Sequence, residues 1–200
     1  MSDAVPTQRV DRKGVFGWML FDWATQPVHT LVTTFVFGPF FASAIASTPA
    51  EGQTLWGYAT AAAGLCIALL APVLGAIADR TGARKPWIAA FSVPLVIGCL
   101  MLWWTVPGSP HAVAVALIGF VVATIGVEFA TVFTNAMMPD LVPKNRLGRL
   151  SGSGWALGYA GGLVSLVVAL GFMAANPDTG RTLLGLAPIL GLDPSTGGGD

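Results

Sequence analysis

Gly75-Ala-Ile-Ala-Asp79-Arg80-Thr-Gly82-Ala-Arg84-Lys85-Pro86 is a polar island between two long apolar stretches. It holds three of the ten Lys and Arg residues of the chain. Upstream lies a second basic cluster, Arg9, Arg12 and Lys13, and downstream a third, Lys144, Arg146 and Arg149; Arg181 stands apart. Two apolar stretches separate each cluster from the next, and the turns joining them, Ser47 to Thr54 and Pro107 to Pro110, contain no Lys or Arg. Basic residues are retained in cytoplasmic loops, so this pattern fixes an orientation. The N-terminus and all three clusters are expected in the cytoplasm, and the chain crosses the membrane and returns twice. A fifth stretch then leads out to a non-cytoplasmic tail.

Composition agrees with a polytopic membrane protein. Apolar residues make up 54% of the chain and charged residues 10%, against about 25% charged in a soluble domain. The net charge is zero, which leaves no basic field for nucleic acid. Cys66 and Cys99 both fall inside apolar stretches, with no disulfide framework or metal-ligand spacing; they read as small buried residues. The first apolar stretch is too long and too decorated for a signal-peptide core.

A hydrocarbon core about 30 Å thick takes roughly 20 helical residues. A cytoplasmic N-terminus at 1–14 is followed by five segments that qualify, at about 15–45, 55–78, 87–106, 112–138 and 150–174, and then by the tail, 175–200. Helix is the expected state, because lipid satisfies no backbone groups. Trp18 and Trp87 on the inner side, and Trp56, Trp103 and Trp104 on the outer, are placed to anchor the ends. The first segment is overlong and holds Pro27 and Pro39, which predicts a kink or tilt. Leu183 to Leu192 is too short to span and is expected as an outer loop or short interfacial helix.

The Gly75–Pro86 island resembles the signature loop of the major facilitator superfamily, G-x-L-a-D-r-x-G-r-(k/r)-(k/r), at its place between the second and third spans. Gly75, Asp79, Arg80, Gly82, Arg84 and Lys85 carry the match. The resemblance implies a cytoplasmic gate latch; a basic loop that only fixes topology would need the charges but not the Gly/Asp spacing. Gly75 would let the second helix pack closely, Gly82 would permit a tight turn, and Asp79 could bond to helix amides and arginines. Gly17-Trp-Met-Leu-Phe21-Asp22-Trp23-Ala24, Asn135-Ala-Met-Met-Pro139-Asp140 and Ser151-Gly-Ser-Gly154-Trp155-Ala-Leu-Gly158-Tyr159-Ala-Gly161-Gly162 are similar to the vacuole-effluxer-like branch, related to a fungal autophagy-linked vacuolar amino-acid exporter. The resemblance runs from Phe16 to about Asp193. It implies the first five helices of a carrier of about twelve, built from inverted three-helix repeats, with the sixth helix missing. Proton-linked or facilitative alternating access is implied, with an amino acid or similar metabolite as substrate.

The polar residues inside the spans form two stripes. Asp22, Gln26, His29 and Thr33 fall at helical spacing on the first span, and Thr124, Glu128, Thr131 and Asn135 repeat it on the fourth. A charge in mid-bilayer costs several kcal/mol, so such groups face a cavity or a partner. Counting 1.5 Å per residue from the cytoplasmic ends, Asp22 and Glu128 lie at a similar depth of roughly 10–15 Å. In the superfamily, helices one and four line the central cavity. Asp22, Gln26, His29, Glu128 and Asn135 are therefore the candidate substrate and proton site. Glu128 or Asp22 would exchange protons, with His29 able to share one. Asp22 could instead be a structural acceptor for backbone or an adjacent indole, and His29 could simply pack. Gly154, Gly158 and Gly162 form a ridge that admits a close neighbour helix, and Gly64, Ala68, Ala71 and Gly75 form a looser one.

The expectation is an all-α polytopic membrane protein, the N-terminal part of a small-molecule transporter in a bacterial inner membrane, needing no cofactor. The rival reading is a truncated, non-transporting remnant or scaffold whose remaining helices come from a second chain. An enzyme is the weakest reading, since the chain has no H-E-x-x-H, P-loop or G-x-S-x-G.

Overall fold

The computed structural model describes residues 10–176 and 179–189. Arg9 of the first basic cluster, Leu190 to Leu192 and the end of the tail lie outside them. Apart from one antiparallel bridge, Ala175 with Thr182, the described residues form helices and turns. Five helices are long and apolar enough to cross a membrane. They are α1 (Arg12–Ile45), α2 (Pro49–Thr81), α3 (Arg84–Trp103), α4 (Ala112–Ala136) and α5 (Leu147–Val168).

Local chemistry sets their ends. Asp11 caps α1, its carboxylate accepting the Gly14 N–H at 3.1 Å. Thr48 caps α2 by accepting the Glu51 N–H at 3.2 Å, and Pro49 fills the first turn, where its missing N–H costs nothing. This cap starts α2 six residues before the apolar run at Leu55. Gly82 ends it at φ 66°, a left-handed conformation that an L side chain resists, and its N–H bonds to the Ala78 carbonyl. The chain then turns directly into α3.

α1 is not regular. After Pro27 it widens into π turns over Val28–Phe35, bends at Val36, and widens again over Phe41–Ile45. Proline removes one backbone donor and displaces the carbonyl that donor would have met. The helix responds by shifting register: the Val36 N–H reaches Leu31 O at 3.0 Å, and the Thr34 hydroxyl reaches His29 O at 2.9 Å. The expected kink is therefore spread over two turns of wider winding.

Packing is pairwise. α3 lies along α4 over most of its length, α1 against α5, and α2 against α4. The α3–α4 seam is seated on Gly98, Gly119 and Gly126, where a Cβ would collide with the facing helix. Three apolar clusters lock the bundle. Trp18, Leu141, Val142 and Leu150 join α1, α5 and the short segment that follows α4, at the end carrying the basic clusters. Ala78, Phe129 and Phe133, with Trp87 and Phe91, join α2, α3 and α4. Trp56 stacks on Phe120 toward the opposite end, ring centroids 3.9 Å apart.

One of the expected end anchors behaves differently. Trp18 is 5% exposed and donates its indole N–H to the Thr134 carbonyl at 3.0 Å, so it is a core residue rather than an interface anchor. Trp103 and Trp104 are exposed. Cys66 and Cys99 are free and only half-buried. A Cβ on Gly64 or Gly75 would meet nothing within 4 Å among the described residues, so the small-residue ridge of α2 is open rather than closely packed. Beyond α5 the chain folds back: Leu183 N–H bonds to Leu170 O, and Leu184 lies over Gly171. The described part of Leu183 to Leu192 is thus a loop closing the far end of α5.

Candidate functional site

The polar stripes of α1 and α4 meet. A cavity of about 470 Å³ opens between α1, α4 and α5, and Asp22, Gln26, His29, Glu128 and Asn135 all line it. Thr131 joins them from α4, while Thr124 and Thr33 do not. The absence of Thr33 follows from the π winding. A wider turn holds more residues, so the face continues through Thr30 and Thr34 in its place. Regular α spacing continued across Pro27 would place Thr33 on this face instead.

The third wall was not read from the stripes. α5 contributes Trp155, Tyr159 and Leu163, and Phe35 closes the α1 side. Trp155 and Tyr159 are one turn apart, in tilted contact with ring centroids 5.9 Å apart, and more than half exposed. Two aromatics at i and i+4 beside a glycine ridge were the available signal.

The ridge itself places the polar groups. Gly154, Gly158, Gly161 and Gly162 are buried and face α1. A Cβ on Gly154 would overlap the Trp18 ring, one on Gly158 the Asp22 carboxylate, and one on Gly162 the Thr30 hydroxyl. α1 can therefore lie with its polar stripe directly on the α5 backbone. Asp22 sits within electrostatic reach of His29. The neighbouring indole of Trp18 bonds to Thr134 rather than to Asp22. Among the described residues no group of His, Cys, Asp and Glu is arranged to hold a metal ion.

A second polar centre lies at the basic end. Arg84 donates to the Asp140 carboxylate, and its other terminal nitrogen is 3.6 Å from Asp79. One guanidinium thus ties the end of α2 to the short helix Met138–Leu141 that follows α4. The arginine side chain is 25% exposed and the two carboxylates about 70%, which puts each pair at about 0–1 kcal/mol. Asp79, Gly82 and Arg84 are brought together here, and Asp140, fifty-six residues from Arg84, completes the set.

A family model described as the Major Facilitator Superfamily matches residues 4–191. The chain belongs to the major facilitator superfamily. It is 33% identical over 156 residues to a Bacillus subtilis (strain 168) protein named "Uncharacterized MFS-type transporter YxiO". That match covers 76% of this chain and 36% of the relative, so the chain spans about a third of the relative's length. No solved structure matches it significantly. With five apolar helices and this family, the chain is an integral membrane protein. The five-helix bundle corresponds to part of the family's fold.

Proposed function

We propose that this chain is the N-terminal part of a secondary-active small-molecule carrier, and that the cavity between α1, α4 and α5 is its share of the substrate and proton site. One observation carries the reading. Two stripes more than ninety residues apart in sequence, holding the ionisable residues of the span interiors, converge on one cavity. In such a carrier the cavity opens alternately to the two sides of the membrane. Glu128 and Asp22 take up and release the coupling proton, and Gln26 and Asn135 supply hydrogen bonds to substrate.

The basic clusters support a cytoplasmic N-terminus and a bacterial inner membrane. Arg84, bridging Asp79 and Asp140, serves as a latch at the cytoplasmic end. Contacts worth about 1 kcal/mol or less suit that role, since a latch must open on every cycle. The resemblance of the Gly17–Ala24 and Ser151–Gly162 stretches favours the vacuole-effluxer-like branch, with an amino acid or similar metabolite as substrate. The remaining helices belong to the rest of the carrier.

The test is uptake of a panel of radiolabelled amino acids into everted membrane vesicles containing the full-length carrier, with and without an imposed pH gradient. Glu128→Gln should abolish the stimulation by the gradient. Unchanged gradient-driven uptake in that variant would remove Glu128 from the proton pathway. No uptake by the unmodified carrier, for any amino acid, would remove the substrate class.

A further inference from the structure

The cavity has an unusual charge balance for a site within a membrane. Asp22 and Glu128 line it, and neither Lys nor Arg does. The Lys and Arg residues of the described spans lie toward helix ends, none of them in the spans' middle. His29 is the one lining group able to carry positive charge, and it faces Asp22. Glu128 has no hydrogen-bond or ion-pair partner among the described residues. A carboxylate in low dielectric needs a counter-charge, and the described residues place none beside Glu128.

Aromatic residues line the same cavity: Trp155 and Tyr159 from α5, and Phe35 from α1. Trp155 is 58% exposed and Tyr159 57%, so their ring faces remain available. Lipid contact alone would be served by aliphatic residues such as Val164 and Val167 on the same helix. An aromatic ring face carries the negative side of its quadrupole, and Trp attracts a cation best of all. Carboxylates and aromatic rings lining one cavity select the same ligand charge.

We propose that the carrier's substrate is an organic cation, an ammonium or guanidinium compound of metabolite size, held between Glu128 and the Trp155–Tyr159 pair. The proposal rests on reading the cavity as the substrate site and adds its charge class. An anionic substrate would meet two carboxylates and no basic group in this part of the carrier.

The test is equilibrium binding to the purified full-length carrier in detergent, read by isothermal titration. The probes are a series of organic cations (tetramethylammonium, 2-phenylethylammonium and agmatine), with 2-phenylethanol and 3-phenylpropionate as neutral and anionic counterparts. At least one cation should bind at pH 7.5, while its counterparts do not. Trp155→Ala should weaken that binding about tenfold, and Trp155→Phe less. Glu128→Gln should also weaken it several-fold. Binding of 3-phenylpropionate in place of the cations would overturn the charge class and leave the cavity as the site. Cation binding unaffected by both Trp155→Ala and Glu128→Gln would overturn the proposed contacts. Absence of binding by every cation, in a carrier that takes up amino acids dependent on Glu128, would overturn the inference and leave the proposed function standing.

Discussion

Replacing Gly98 by alanine should loosen the bundle at its tightest seam. An ideal Cβ on Gly98 stands 2.5 Å from the Gly119 carbonyl oxygen and 2.7 Å from the Ala123 Cβ, and overlaps the Ala123 amide nitrogen. Ordinary contact begins near 3.4 Å. Because backbone atoms cannot rotate aside, α3 and α4 must part by roughly 1 Å or deform. A gap of 0.5–1 Å forfeits a quarter to a half of each atom-pair attraction, itself ~0.1–0.2 kcal/mol. Over on the order of 30 pairs along the seam the loss is ~1–2 kcal/mol, within the range for overpacked cores. Lipid offers no hydrophobic drive to close the gap again, since helices in a bilayer associate by packing. The assay is thermal unfolding of the purified full-length protein, followed by tryptophan fluorescence. Gly64→Ala is the control. Among the described residues its new methyl group would meet nothing within 4 Å, and alanine favours helix by about 0.5–1 kcal/mol over glycine. Gly98→Ala should melt several degrees below the unmodified protein and Gly64→Ala at or above it. If Gly98→Ala melted level with Gly64→Ala, the close α3–α4 approach would be wrong.

Other substitutions divide by what the new or missing atoms touch. Gly158→Ala places its methyl group on the Asp22 carboxylate, the end of a side chain that can swing away, so it should cost under about 1 kcal/mol of stability yet sharply reduce gradient-driven uptake in vesicles. Trp18→Phe removes a buried indole bond to the Thr134 carbonyl and should lower stability by about 1–2 kcal/mol, measurable in the same melting assay. Arg84→Ala removes the guanidinium that both Asp79 and Asp140 meet; the melting temperature should change little, while maximal uptake should fall with loss of the proposed latch. With Ser109→Cys and Asn145→Cys as separate variants, an impermeant maleimide on intact cells should label only the residue-109 variant; labelling at 145 instead would invert the proposed orientation.

How much of this was legible in the sequence depended on the range of the interaction. Charge clusters and apolar run lengths mark where helices must stop and start, and the five spans follow from them. Helical spacing put Asp22, Gln26 and His29 on one face of α1, and Glu128 and Asn135 on one face of α4. That the faces meet is a property of packing, which no spacing within a single helix contains. Pro27 announced an irregularity but not its form. A sharp kink and a π register shift both relieve the missing donor, and only the second moves Thr33 out of the cavity wall and Thr30 and Thr34 into it. Trp18 illustrates the same limit. An indole near a helix end reads as an interface anchor, and it is buried because Gly154 on another helix leaves room for its ring. Asp140 stood in a quoted stretch without a role, since its partner lies beyond α3 and α4 in the chain.

The glycines show why stability and transport should separate in this bundle. On α3 and α4 they bring backbone against backbone: Gly98 meets Gly119 and Ala123, and Gly126 meets Leu95 and Phe91. Nothing in those seats can turn away, so the pair behaves as one rigid body. On α5 the seats at Gly154, Gly158 and Gly162 receive side-chain ends from α1: an indole, a carboxylate and a hydroxyl. Those contacts do little to clamp the two backbones. They set where Asp22 and its neighbours point into the cavity. α1 is also the helix whose winding changes, just past Asp22 and Gln26. A movement of α1 over α5 would therefore shift the polar wall of the cavity while the α3–α4 body stayed intact. Substitutions on the first set of glycines should appear in melting curves, and one at Gly158, where the facing carboxylate can swing aside, in transport. A Gly158→Ala variant that melted early but transported normally would reverse that assignment.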